Sequence, residues 1–197
     1  MNYGDYAYVE AFPRGMFRLF PEANVGRRAQ LFEVWIRPVV PANAHMALRI
    51  AQYELERLLA EGLSREDFEM TRGYLAKNVF LTTATQDQQL GYALDSSWYG
   101  IGEYTGYVRT ALAKLTVDDV NRAIRRHWSA KDLSVVVVTS DAEGLRERLV
   151  ADTPSSVTYE SAQDGALLEE DARIGARKLG IRPEAVKVTP VEEVFAR

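Results

Sequence analysis

The chain has 197 residues, enough for one domain with a real core and an appendage. Its 24 basic and 28 acidic residues leave a net charge of −4, which provides no basic footprint for nucleic acid. Cysteine is absent, which excludes a disulfide framework, a cysteine nucleophile and a thiolate metal site, and fits a cytoplasmic or a periplasmic setting equally. Residues 2–12 are aromatic-rich, with Tyr6, Tyr8 and Glu10 alternating with Asp5, Ala7 and Val9, and read as a strand. A strand so early needs a pairing partner, because buried backbone donors and acceptors do not stay unpaired. The expectation is that the chain is a piece of a larger fold.

A polar stretch follows from 13 to 28, with room for a short strand at 15–20. Residues 31–37 read as a second long strand closed by Pro38; Phe32, Val34 and Ile36 share one face, and Glu33, Trp35 and Arg37 the other. From Pro41 to Gly62, Met46, Ala47, Ile50, Ala51, Leu55, Leu58 and Leu59 recur at helical spacing, which predicts a helix about 30 Å long. Ser64 opens a second helix, with Asp67 as its capping partner and Phe68, Leu75, Val79 and Phe80 as its apolar stripe. A third helix runs through Leu90 and Leu94 to about Tyr99 and stops at Gly100-Ile101-Gly102. A short helix is predicted over 104–112, and another opens at Thr116 with Val120, Ile124 and Trp128 facing the core. Residues 133–139 contain Val135-Val136-Val137-Val138 and read as a strand buried on both faces. Asp141 caps a small helix reaching about Val150, and beyond Thr153-Pro154 the pattern weakens. No run approaches the roughly 20 apolar residues of a membrane span. The expected fold class is therefore α+β: a mainly antiparallel sheet with helices layered on one face.

Five stretches carry a resemblance: Asn2-Tyr3-Gly4-Asp5-Tyr6-Ala7-Tyr8, Trp35-Ile36-Arg37-Pro38-Val39, Leu90-Gly91-Tyr92-Ala93-Leu94-Asp95, Trp98-Tyr99-Gly100, and Leu115-Thr116-Val117-Asp118-Asp119-Val120-Asn121. Together they resemble the second half of insulinase/pitrilysin-type zinc peptidases, relatives of the mitochondrial processing peptidase. The likeness spans residues 2–150 and loosens in the tail. It implies a clam shell of two α+β halves, one of which carries H-x-x-E-H on a helix and binds zinc. The other half lacks that motif and lends an arginine and a tyrosine to the facing site. Tyr3 stands where that tyrosine would be, and the arginine would fall before Met1.

The resemblance thus implies that residues 1–150 are a non-catalytic half-domain lacking its first strand and helix, and that 151–197 are an extension or wrapping tail. It implies a half that closes the substrate chamber and assists peptide-bond hydrolysis at the other half's zinc. No cofactor is expected in this chain, and zinc is expected in the partner half. The expected partners are that H-x-x-E-H half and a peptide substrate, with neither nucleic acid nor membrane. The alternative is a proteolytically inactive scaffold homologue; an unrelated small-molecule enzyme finds no motif to support it.

The residues speak to the same chemistry directly. A zinc peptidase needs three protein ligands and an open position for water. The chain has two histidines, His45 and His127, and neither has a glutamate and second histidine at helical spacing. His45, near a helix start, reads as a packed or surface histidine, and His127 as a cation at a helix end. Tyr3 is the one catalytic candidate: a phenol donates one hydrogen bond, and aimed at a zinc-held peptide carbonyl it would steady the oxyanion. Glu66, Asp67 and Glu69, like Asp118-Asp119, read as acids favoured by a helix N-terminus. Glu169-Glu170-Asp171 reads as a solvated charge run. Ser96-Ser97 lacks both a nearby histidine and nucleophile-elbow glycines.

Overall fold

The computed structural model describes residues 6–10, 20–21, 23–24, 31–159 and 161–194. Along them run β1 (Tyr6–Glu10), β2 (Leu31–Trp35), α1 (Ala44–Glu61), α2 (Arg65–Asn78), α3 (Gln86–Tyr99), α4 (Tyr104–Lys114), α5 (Val117–His127), α6 (Ala142–Ala151), α7 (Gly165–Gly175) and the single turn α8 (Val191–Val194). The chain divides into two compact units, one of Met1–Trp35 with Leu58–Trp128 and one of Ile36–Arg57 with Ser129–Arg197.

The α+β expectation is corrected here. The described residues are mostly helical, and there is no broad antiparallel sheet on which helices could layer. The strand pairing among them is the two-stranded antiparallel ribbon β1–β2, with Tyr6 opposite Trp35 and Glu10 opposite Leu31. Residues 133–139, expected as a doubly buried strand, lie in neither helix nor strand. Val135 and Val137 are 51% and 46% exposed, Val136 and Val138 89% and 88%, an alternation with the period of an extended chain. The physical reason is that a helix closes its own hydrogen bonds, whereas a strand needs a neighbour. Valine content raises strand preference but supplies no neighbour.

In the first unit the helix ends are written locally. Ser64 Oγ accepts from the Asp67 N–H and opens α2, with Glu66 and Asp67 in the first turn and Lys77 in the last. Thr85 and Gln88 form a reciprocal capping box on α3, which stops at Gly100 in the left-handed region, φ +65°. Thr116 and Asp119 repeat the box on α5, whose last turn carries Arg125, Arg126 and His127. A 3₁₀ turn, Val79–Thr83, joins α2 to α3 and packs with α2, α3 and α4 around the fully buried Val79. Phe68, Tyr92 and Ile124 are buried as well, and Phe80, expected on the apolar stripe, is exposed beneath the Arg109 guanidinium.

Asn121 ties the α1–α2 corner to α5. Its Oδ1 accepts from the Leu63 N–H at 2.8 Å and its Nδ2 donates to the Leu63 carbonyl at 3.1 Å. Gly62 turns the corner at φ +77°, and a Cβ there would sit 2.6 Å from the Asn121 side chain. Glycine is required on both counts.

In the second unit Met46, Leu145, Leu149 and Ile174 are buried. Asp141 caps α6 as the sequence predicts, accepting from the Gly144 N–H at 3.1 Å. Asp164 caps α7 by accepting from the Ala166 N–H. That helix falls where the sequence pattern weakens; its closing Gly175 lies so near Ser155 that an added Cβ would meet the Ser155 carbonyl oxygen at 2.0 Å.

Candidate functional site

Tyr3, the predicted catalytic residue, lies outside the described residues. Of the two histidines, His127 is exposed in the last turn of α5, the end of a helix that favours a cation. His45 is buried in the first turn of α1, and its Nε2 has no hydrogen-bond partner. Burial, and then the nearby Arg49 guanidinium, lower its pKa and keep the imidazole neutral. His45 is in the second unit and His127 in the first, so each must be read by itself. Among the described residues no three His, Asp or Glu side chains gather as a metal site would require.

The densest polar cluster is centred on Arg49, which is 1% exposed. Its Nε donates to the Arg177 carbonyl at 2.7 Å, its Nη1 to Ser155 Oγ at 2.6 Å and its Nη2 to Asp152 Oδ1 at 2.8 Å. Asp152 sits at φ +50°, just past α6, and accepts further hydrogen bonds from the backbone N–H groups of Leu179 and Gly180. Burial alone would raise the Asp152 carboxyl. The Gly180 and Leu179 N–H groups and the Arg49 guanidinium outweigh it, and the pKa falls below the usual value. All three guanidinium nitrogens and both carboxylate oxygens are engaged within the chain. The cluster therefore fastens α1 to the segment 152–180, with every guanidinium nitrogen held by a partner within the chain. Sequence reasoning missed it. The available signal was an arginine one turn beyond His45 and between the apolar positions Met46 and Ile50, a place where a solvated side chain would break the stripe.

The first unit carries an open cleft of about 740 Å³ beside the C-terminal half of α3 and the start of α4. Tyr92 and Tyr104 line it as a stacked pair, ring centroids 4.1 Å apart at 19°, and Tyr92 donates its hydroxyl to the Pro21 carbonyl at 2.6 Å. Gly100 and Gly102, both at positive φ, form one lip. Glu103 forms another part of the wall, but its carboxylate caps α4 by accepting from the N–H groups of Gly106 and Thr105, which lower its pKa in that order. Ser96 is buried with an unpartnered Oγ, and Ser97 stands beside it. Among the described residues no histidine, lysine or arginine lines the cleft, and the carboxylate that does, Glu103, is engaged as the α4 cap. Its chemistry is that of a binding surface with aromatic walls and a few hydroxyls.

The cleft adjoins a helix face with no cover. Leu90, Leu94 and Trp98 fall four residues apart on α3 and are all exposed, Trp98 at 84%. Tyr99, Phe80 and Leu81 are exposed as well. No protein-family model matches the chain, and no curated protein and no solved structure matches it.

Proposed function

We propose that this chain is the metal-free half of an insulinase-like zinc endopeptidase, which closes a chamber over peptide substrates when it meets a half carrying H-x-x-E-H. The observation that carries the reading is the uncovered Leu90–Leu94–Trp98 face of α3. A helix stripe of that kind is ordinarily buried, and its exposure supports the reading that another polypeptide covers it. The motif Leu90-Gly91-Tyr92-Ala93-Leu94-Asp95 followed by Trp98-Tyr99-Gly100, among those that resemble the family, lies on that same helix. The mostly helical fold lends the reading no support, so it rests on the motifs and the exposed face.

In this reading a zinc ion held by the H-x-x-E-H of the partner half would supply the Lewis-acid chemistry. The residues of this chain do not fit a zinc site, and its contribution is a hydrogen bond. Tyr3 donates its phenolic proton to the oxyanion that develops on the peptide carbonyl, an interaction made in the transition state rather than with the bound substrate.

The test is reconstitution. The chain alone binds no stoichiometric zinc and cleaves no peptide. Mixed with its zinc-bearing half, the Tyr3→Phe variant lowers kcat about a hundredfold while KM changes little, the scale of losing one oxyanion donor. Equal turnover by wild type and variant rejects the role of Tyr3. A complex that forms but hydrolyses no peptide favours the scaffold alternative.

A further inference from the structure

His45 and Arg49 stand one turn apart on α1, and both are buried, at 2% and 1% exposure. Arg49 is met by the chain beyond α6, through Asp152, Ser155 and the Arg177 carbonyl. His45 Nε2 is sealed from water and has no partner among the described residues. A neutral ring tolerates that place. An imidazolium carries a second N–H, which needs an acceptor or water. The charged groups that bear on the ring do not supply one. Arg49 on α1 and Arg148 on α6 oppose a positive ring, and Asp152, just past α6, favours it. Both Asp152 oxygens are engaged, Oδ1 by Arg49 and the Leu179 N–H, Oδ2 by the Gly180 N–H. The segment after α6 brings two further cations, each committed elsewhere: Lys178 Nζ donates to the Asp152 carbonyl, and the Arg177 guanidinium pairs with Glu56.

We propose that protonation of His45 opens a latch: residues 153–180, with α7, leave α1 while α1 and α6 stay packed, and the ring gains water. The division follows from what holds each part. Met46, Leu145 and Leu149 are buried on α1 and α6, and the segment adds Ile174. The segment is tied to α1 by polar contacts: the Arg49 hydrogen bonds, the Glu56–Arg177 pair, and the Tyr53 hydroxyl donating to Glu170 at 3.2 Å. Such contacts exchange for water at small net cost, whereas apolar burial does not. Opening also hydrates the Arg49 guanidinium, so neither cation stays buried. Burial, and then Arg49, hold the latched ring's pKa below 6.5. The open state therefore takes the proton first. The latch is fully favoured above pH 6.5 and loses ground as pH falls below it. Asp152 loses its charge only below 3.8, in a separate window. The device is independent of the zinc-half reading, since every group named lies in the second unit.

The experiment is hydrogen–deuterium exchange on the whole chain at about pH 7.5 and about pH 5.5, either side of the ordinary histidine range, with intrinsic rates corrected for pH. The Leu179 and Gly180 amides, held by Asp152 in the latched state, lose protection at the lower pH, while α6 and the first unit keep theirs. His45→Gln stays protected at both. Where that variant is open at both, the wild-type ring decides: an NMR titration of His45 that coincides with the loss of protection supports the latch, and one that departs from it overturns it. Unchanged protection at 179–180, an equal loss in α6, or the same pH-dependent loss in His45→Gln also overturns the proposal.

Discussion

Arg49 shows how one side chain can hold a region together without acting in chemistry. A guanidinium taken out of water is tolerated only when its donors are met, and here they meet a carbonyl, a hydroxyl and a carboxylate. Removing one partner of such a pair leaves the other uncompensated. Arg49→Met is therefore expected to cost about 3–5 kcal/mol, measured by urea unfolding. His45 supplies a pH dependence at the same place. Its folded pKa lies below 6.5, so as pH falls from that value the unfolded chain takes up the proton first and the folded state loses stability. Asp152 acts lower: its folded pKa is also depressed, so its contribution is present above 3.8 and fades as pH falls through the folded value. His45→Gln is expected to remove the decline that begins just below pH 6.5 and to keep the acid limb. Urea midpoints measured across pH would show it, and an unchanged profile in the variant would reject the assignment.

The helices are specified mostly by their ends. Ser64, Thr85, Thr116 and Asp141 each answer an orphan N–H at an N-terminus, and Gly62 and Gly100 supply the left-handed turn that ends a helix. These signals are local, which is why α3, α5 and α6 were legible in the sequence to within a residue or two, whereas α1 starts after a 3₁₀ turn at Pro41–Asn43 and α2 stops at Asn78, leaving Val79 and Phe80 in the following 3₁₀ turn. Thr116→Ala removes one side of a reciprocal box and is expected to cost about 1 kcal/mol by thermal or urea unfolding. Thr116→Ser should keep nearly all of it, because the hydroxyl that accepts the bond remains. The strands illustrate the opposite case. β1 and β2 pair because each meets the other, whereas the valine run 133–138 has equal or better strand chemistry and pairs with no strand among the described residues. The helix α7 was missed because most of its apolar residues, Ala166, Leu167, Leu168 and Ala172, are exposed, and the buried residues, Ile174 and Gly175, gather at its end.

At the scale of the molecule, the two units give distinct readouts. All three tryptophans, Trp35, Trp98 and Trp128, belong to the first unit. The Arg49 cluster belongs to the second. Contacts concentrated within each unit allow each to open at its own free energy. In Arg49→Met the far-UV circular-dichroism transition should shift to lower urea while the tryptophan-fluorescence midpoint stays in place. Coincident shifts by the two probes would show a single cooperative body. The functional reading belongs to this scale too. Tyr3 was picked out by a motif alone, and it lies outside the described residues.

The ends of α1, α3, α5 and α6, the glycine corner at Gly62 and the lack of any H-x-x-E-H motif could be read locally, because each depends on residues within a few positions of one another. Only the tertiary structure decided that Arg49 would be buried against Asp152, that Asn121 would clamp Leu63, that Ser96 would stand unpartnered in a cleft, and that the Leu90–Leu94–Trp98 face would lie open. It also decided that the valine run would stay unpaired. Burial and strand pairing join residues far apart along the chain, and no local pattern states which distant partner is there to be met.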